Sequence, residues 1–257
     1  MNKPSKPRIA IHKFTSCDGC QLAFLNMGEE FLQLAEQVDI IHFAEAGKVD
    51  SETEVDIAFV EGSVSTPSEI ERIHRIRQNS KYLITIGACA TSGGIQALRN
   101  GIESSADWVS AIYASPEYIQ TLQSSSAISK QVKVDFELWG CPVNSRQVIQ
   151  AIRDRLSGVR PSITADSVCL ECKRKGNVCV LVAQGKPCMG PVTRTGCGAL
   201  CPSFGRECYG CYGPSEQVNA TALARRFEGL GLMPEQVARR FSFIHSAADV
   251  FSDAGKK

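Results

Sequence analysis

The chain lacks an excess of charge of either sign. Its formal net charge is +1 over 257 residues, so composition gives no electrostatic footprint for nucleic acid or for an anionic membrane surface. It also lacks long apolar runs, and none approaches the ~20 residues that a membrane-spanning helix needs. The N-terminal stretch MNKPSKPRIAIHKF carries basic residues but neither an apolar h-region nor a small-residue cleavage site. These absences predict a cytoplasmic chain without a secretory leader. Histidine is scarce: His12, His42, His74 and His245 are the whole supply. We read all four as surface or packing residues and none as a metal ligand. No internal repeat of fixed period is found.

Cysteine is the exception, with twelve residues. Disulfides do not persist in a reducing cytosol, so this many thiols point to metal. Cys17, Cys20, Cys89 and Cys141 are dispersed through the first part of the chain, and the other eight crowd between Cys169 and Cys211. Twelve divides into three sets of four, and four thiolates are what a cubane iron–sulfur cluster or a closed zinc site needs.

The hydrophobic pattern of the first part alternates between strand and helix. RIAIHKF (8–14), VDIIHF (38–43), VDIAFVEG (55–62) and KYLITIGA (81–88) read as buried parallel strands, and KVDFELWG (133–140) alternates as another. Between them, 21–37 has helical apolar spacing, Pro67 opens a second helix, TSGGIQALRN (91–100) reads as a short one, and NSRQVIQAIRDRLSG starts at an Asn or Ser cap and stops at Gly158. Residues 101 to about 131 read as a Ser-rich insertion of weak helical character. This βαβ succession predicts an α/β fold with a flavodoxin-like parallel sheet over 1–158. Residues 159–213 lose the pattern to Gly, Pro and Cys, and 214–257 offer two amphipathic helices. We expect 159–257 to form a loop-rich, metal-cross-linked second domain.

On this reading Cys17 and Cys20 follow the first strand, while Cys89 and Cys141 stand at the carboxyl ends of two others. Ligands of open α/β sheets gather at that edge, and each loop leads into a helix N-terminus whose free N–H groups suit an anionic site. Gly19, Gly87 and Gly140 allow the backbone to come close. The competing readings are a thioredoxin-like couple at Cys17/Cys20, which leaves the other two thiols unexplained, and buried small hydrophobes at Cys89 and Cys141. Four cysteines at equivalent strand ends favour a shared site over both.

The later spacings are C-x2-C-x6-C-x8-C for Cys169, Cys172, Cys179 and Cys188, then C-x3-C-x6-C-x2-C for Cys197, Cys201, Cys208 and Cys211. Sequential sets of four are the simplest partition, but two-cluster ferredoxins exchange ligands between runs, so spacing leaves the partition open. Phe204, Tyr209 and Tyr212 are placed either to shield a cluster or simply to pack. A zinc-binding module is the rival; the absence of histidine near the block and of a basic patch weighs against it.

Taken together, TSCDGCQLAF, GACATSGG (87–94), GCPVN (140–144), PCMGPVTRTGC and CYGCYGP resemble the small subunit of NiFe hydrogenases over roughly residues 8–213. The periplasmic members carry a twin-arginine leader, a histidine on the distal cluster and a three-iron medial cluster. This chain has cysteine at all twelve positions, and is most similar to the cytosolic NAD(P)-linked branch of sulfhydrogenase delta type. The methanogen small subunits, deazaflavin-linked or heterodisulfide-reductase-linked, are the near alternative. The related complex I subunit carries adjacent cysteines in its first loop and lacks an eight-cysteine tail. The resemblance implies three [4Fe–4S] clusters: proximal on Cys17, Cys20, Cys89 and Cys141; medial on Cys197, Cys201, Cys208 and Cys211; distal on Cys169, Cys172, Cys179 and Cys188. It implies no catalytic residue on this chain, a partner large subunit holding the NiFe site, and further iron–sulfur and flavin/NAD(P)-binding subunits. Glu61 is then placed near the proximal cluster or the large subunit, or as a surface carboxylate capping a turn; Asp18 is expected to be solvated or at the interface.

Overall fold

β-branched, apolar runs build the sheet. In a computed structural model describing residues 6–101 and 104–255, β1 (Arg8–Lys13), β2 (Asp39–Phe43), β3 (Val55–Glu61), β4 (Ser80–Ile86) and β5 (Phe136–Leu138) pair in parallel in the order β2-β1-β3-β4-β5. This is the flavodoxin-like order expected from the sequence. Residues 1–5, residues 102–103 of the insertion and the last two residues of the chain lie outside the described residues.

Alternate side chains of the strands feed two cores, as a sheet covered on both faces requires. Ile9, Ile11, Ile57, Phe59, Ile84, Ile86 and Leu138 pack on one face. They meet α1 (Gly19–Leu25), α2 (Glu29–Gln37) and the later α6 (Ser145–Leu156) through Phe24, Leu34, Val148 and Ile152. Ala10, Ala58, Val60 and Leu83 pack on the other face with Ile73 and Ile76 of α3 (Pro67–Gln78) and Ala90 of α4 (Gly87–Ser92). The insertion holds α5 (Ser105–Ile112) and single 3-10 turns.

Two helical expectations and one strand expectation change. The 21–37 helix is broken at Gly28, whose φ of 57° no helix accommodates, into α1 and α2. TSGGIQALRN is not one helix: α4 begins earlier, at Gly87, and a 3-10 turn follows over Ile95–Gly101. KVDFELWG contributes only the three residues of β5.

Beyond α6 the chain forms three short helices, α7 (Val168–Arg174), α8 (Val180–Ala183) and α9 (Leu200–Ser203). The closing segment forms α10 (Ala220–Glu228), α11 (Pro234–Phe241) and α12 (Asp249–Gly255), three helices where the sequence suggested two. The Cys-rich stretch does not stand on metal alone. Val180, Met189 and Val192 share a core with Phe227, Phe241 and Phe251, and the three phenyl rings pack at centroid distances of 6.2 and 5.8 Å. Each fully buried phenyl contributes roughly 1.5–3 kcal/mol.

Candidate metal centres

The strand register aligns the loops. Lys13 pairs with Glu61, Glu61 with Ile86, and Ile86 with Leu138, so these strand ends form one row across the sheet. Cys89 lies three residues past Ile86 and Cys141 three past Leu138, while Cys17 and Cys20 follow β1 at the point where strand order reverses. The four thiols come together there. Cys20 feels the charge of Cys89 and Cys141, and Cys89 and Cys141 both feel Cys17.

Backbone geometry leaves room for these sulfurs. Gly87 has φ +83°, and a Cβ added there would collide with Cys20 Sγ. The next residue ties two loops together, with Ala88 N–H donating to Gly140 O at 2.7 Å. At Gly94 an added Cβ would stand 2.7 Å from Cys89 Sγ. Gly140 is likewise at positive φ, and Gly19, though in ordinary helical backbone, also comes close, a Cβ there standing 3.4 Å from Cys17 Sγ.

Glu61 lies beside the thiols, its charge acting on Cys20, Cys89 and Cys141, and it also caps a turn, though not at the surface. It is 2% exposed and accepts the N–H groups of Cys20 (3.0 Å) and Gln21 (3.2 Å), the free amides in the first turn of α1. Burial pushes its carboxyl above the ordinary range, against the pull of those amides. Asp18, with its side chain 28% exposed, turns outward and pairs with Lys13 at 2.6 Å. The loop before Cys17 is held by Glu69, which accepts from Thr15 Oγ1 (2.9 Å), Ser65 N (2.7 Å) and Thr66 N (3.1 Å). The spacing Thr66-x-x-Glu69 is a capping-box signal legible in the sequence, although its reach to Thr15 is not.

The eight later thiols form two neighbourhoods. Cys169, Cys172, Cys179 and Cys188 line one cavity, closed by Val168, Val180 and Pro202. Cys211 feels Cys197 and Cys201, while Cys208 feels Cys211 and also Cys188. Neighbourhoods adjoin in series. Cys211 also feels Cys141, and Cys208 N–H donates to Cys188 Sγ at 3.3 Å. Glu171, which the sequence reading passed over, sits between Cys169 and Cys172 and accepts from Gly196 N (2.9 Å) and Ala199 N (3.1 Å). It thereby fixes the loop carrying Cys197. Of the aromatics, Tyr212 is buried against the thiols, Tyr209 is half-buried, and Phe204 is 76% exposed and shields nothing within the chain.

The donor set fits iron–sulfur chemistry. Burial raises Cys89 and Cys169 to about 11 and Cys211 to about 12, and pushes Cys20, Cys141, Cys188, Cys197 and Cys208 upward as well. Such thiols stay neutral unless a cation takes the proton's place. Among the described residues no three His, Cys, Asp or Glu side chains close on one point tightly enough for a single metal ion; Cys169, Cys172, Cys179 and Cys188 stand instead around one cavity. No cysteine is disulfide-bonded. His12 and His42 stack on each other at 4.6 Å, whereas His245, distant from the eight-cysteine block in sequence, is buried beside it in space, with Nε2 3.0 Å from the carbonyl oxygen of Cys211 and Nδ1 2.7 Å from Ser92 Oγ.

The profile of the NADH ubiquinone oxidoreductase, 20 Kd subunit family matches residues 17–154. Sulfhydrogenase 2 subunit delta of Pyrococcus furiosus is 35% identical over 91% of this chain and 97% of its own length. A subunit of the F420-non-reducing hydrogenase vhu of Methanococcus voltae is 30% identical over 88% of this chain and 89% of its own. The crystal structure of an NAD+-reducing [NiFe]-hydrogenase in the H2-reduced state contains a chain that superposes with a TM-score of 0.56 at 28% identity, covering 62% of this chain and 95% of that one. With the sheet order and the cysteine loops, these likenesses establish that the chain belongs to the NADH ubiquinone oxidoreductase, 20 Kd subunit family, as a hydrogenase small subunit.

Proposed function

We propose that this chain is the electron-relay subunit of a cytosolic, bidirectional NiFe hydrogenase linked to NAD(P), and that it holds three [4Fe–4S] clusters. The active site of such enzymes lies in the large subunit, and this chain contributes no catalytic residue. The observation that carries the reading is the meeting of Cys17, Cys20, Cys89 and Cys141 at one row of strand ends, with two further thiol neighbourhoods adjoining in series.

Bound clusters supply reversible one-electron transfer. Cys17, Cys20, Cys89 and Cys141 are the ligands assigned to the cluster nearest the large subunit, Cys197, Cys201, Cys208 and Cys211 to the middle one, and Cys169, Cys172, Cys179 and Cys188 to the far one. Adjacency of Cys141 to Cys211 and of Cys208 to Cys188 supports that order. Glu61 holds the N-terminal turn of α1 under Cys20, Glu171 ties the far loop to the middle one, and Tyr212 keeps water from the junction. The far set lies on a partly exposed surface, with Cys179 exposed, where an iron–sulfur or flavin/NAD(P)-binding subunit has access. The NAD(P) link rests on the likeness to the NAD+-reducing enzyme. The likeness to the F420-non-reducing hydrogenase favours, as second reading, a methanogen-type partner at the same surface. No helix among the described residues is long and apolar enough to cross a membrane.

Anaerobic iron analysis with EPR tests the proposal. The reading expects about twelve irons per chain. Cys89→Ser is expected to remove or convert one cluster and spare two. Colourless protein holding only zinc, or iron unchanged in Cys89→Ser, would refute it. Reduction by H2 with NAD+ against NADP+ or a deazaflavin as acceptor separates the two partner readings.

A further inference from the structure

One imidazole joins regions that lie far apart in the chain. His245, past the end of α11, is 1% exposed. Its Nδ1 lies 2.7 Å from Ser92 Oγ and its Nε2 3.0 Å from the carbonyl oxygen of Cys211. The ring leans on Trp139, with centroids 5.2 Å apart. Gly213 has no side chain to intrude: a Cβ there would collide with Trp139 and approach His245 Cε1 to 3.3 Å.

Each of these partners belongs to a cysteine loop. Ser92 closes α4, which carries Cys89; Trp139 stands two residues before Cys141; Cys211 is itself a thiol of the later block. The hydrogen-bond chemistry fixes the ring. A backbone carbonyl only accepts, so Nε2 carries the hydrogen and donates to Cys211. In the neutral ring, which burial favours, Nδ1 is then bare and accepts the Ser92 hydroxyl, in preference to the Ala88 carbonyl 3.1 Å from the same oxygen. The ring therefore has one orientation and one tautomer, set jointly by the N-terminal and C-terminal cysteine regions. This junction is also where Cys141 and Cys211 are electrostatic neighbours.

We propose that His245 is a positioning residue that fixes the separation between the Cys17/Cys20/Cys89/Cys141 site and the site containing Cys211. Apolar packing alone does not specify such a separation, because apolar contacts are non-directional and tolerate sliding. Two hydrogen bonds of defined direction at one buried ring do specify it. Electron transfer falls steeply with distance, so a small drift here slows the relay without disturbing either set of ligands. The inference rests on the iron–sulfur reading given above.

The test compares His245→Leu and His245→Gln in the complex purified anaerobically with its partner subunits. Leu fills space and makes neither bond; Gln keeps an N–H able to reach the Cys211 carbonyl. The expected result is full iron in both, a changed magnetic interaction between the reduced first and second clusters in His245→Leu, and recovery in His245→Gln. Amide hydrogen exchange across 211–213 is expected to quicken at least tenfold in His245→Leu alone. Unchanged EPR and exchange in His245→Leu would overturn the proposal, as would equal disturbance in both variants, which would make the ring a packing element only. If the wild-type complex carries no iron–sulfur signal, the relay reading fails, while the exchange comparison still decides whether His245 holds the junction.

Discussion

Gly87→Ala probes the point where three loops meet. Gly87 opens α4 directly after β4 at φ +83°, faces Cys20 Sγ, and lies 3.5 Å, at its would-be Cβ, from Gly140 O. Two penalties add. An alanine in left-handed backbone costs about 1–2 kcal/mol. Overlap with a sulfur that cannot retreat costs about 1–3 kcal/mol more. Cys20 cannot retreat, because it is 7% exposed and packed in the sheet core with Phe24 and Ile86. The total is about 2–5 kcal/mol, a large share of the roughly 5–15 kcal/mol that holds a domain folded. Gly158→Ala is the control: its φ is +75° and nothing lies within 4 Å of the added Cβ, so it bears the backbone penalty alone. Denaturant unfolding of both variants isolates the steric part as their difference. On the three-cluster reading proposed above, iron analysis in parallel is expected to show loss of about one third of the iron in Gly87→Ala and none in Gly158→Ala. Equal destabilisation of the two variants with full iron in both would refute the argument that Gly87 is kept open for the Cys20 sulfur.

Glu61→Gln keeps the shape of the side chain but offers one acceptor to two amides, so it leaves one N–H of the α1 first turn unpaired; a loss of about 1–3 kcal/mol is expected by thermal unfolding, and an unchanged melting temperature would refute the capping role. At Asp135 burial alone would raise the carboxyl, but the Leu83 N–H at 2.8 Å and Arg77 at 2.6 Å outweigh it and hold the group below its ordinary value. Its folded pKa is therefore depressed, so its contribution is present above about pH 4 and is lost as pH falls through the folded value; Asp135→Asn is expected to remove about 1 kcal/mol at neutral pH and to flatten the acid limb of a stability-against-pH curve.

The sheet was legible because its strands are buried on both faces and therefore read as continuous apolar runs, as in VDIAFVEG and KYLITIGA. The edge on which the cysteines stand was legible for the same reason: once the strands are parallel, the residues after Ile86 and Leu138 must emerge together. Helix continuity was not. Periodicity from Leu22 to Leu34 runs through Gly28 without revealing that the backbone turns there. MPEQVARRFSFIHSAADVF keeps its apolar spacing across Ser242, where α11 ends and the chain carries His245 inward. Glu171 was opaque, and so were the partners of Glu61, for another reason. Each carboxylate accepts backbone amides well away along the chain, at Cys20 and Gln21 and at Gly196 and Ala199, and backbone amides leave no mark on composition or spacing.

The two cysteine regions are positioned by different physics. Cys17, Cys20, Cys89 and Cys141 hang from strand ends whose register is set by a core of Ile, Leu and Phe, so the sheet alone brings these loops together. The later eight lie on, between and just after helices of seven, four and four residues, α7 to α9. Helices that short do not hold themselves together, because nucleation fixes several dihedrals for each hydrogen bond gained. What holds them is the apolar layer under Val180, Met189 and Val192, the Glu171 clamp, and the His245 contact that ties Cys211 back to the sheet. Thiols facing one space, without metal, add little to that. Once a cation displaces their protons they become four bonds to one centre, and the cross-links are strongest where the backbone supplies least. The C-terminal helices carry no ligand of their own. They supply the apolar floor and, through His245, one directional contact that sets where the second site stands relative to the first.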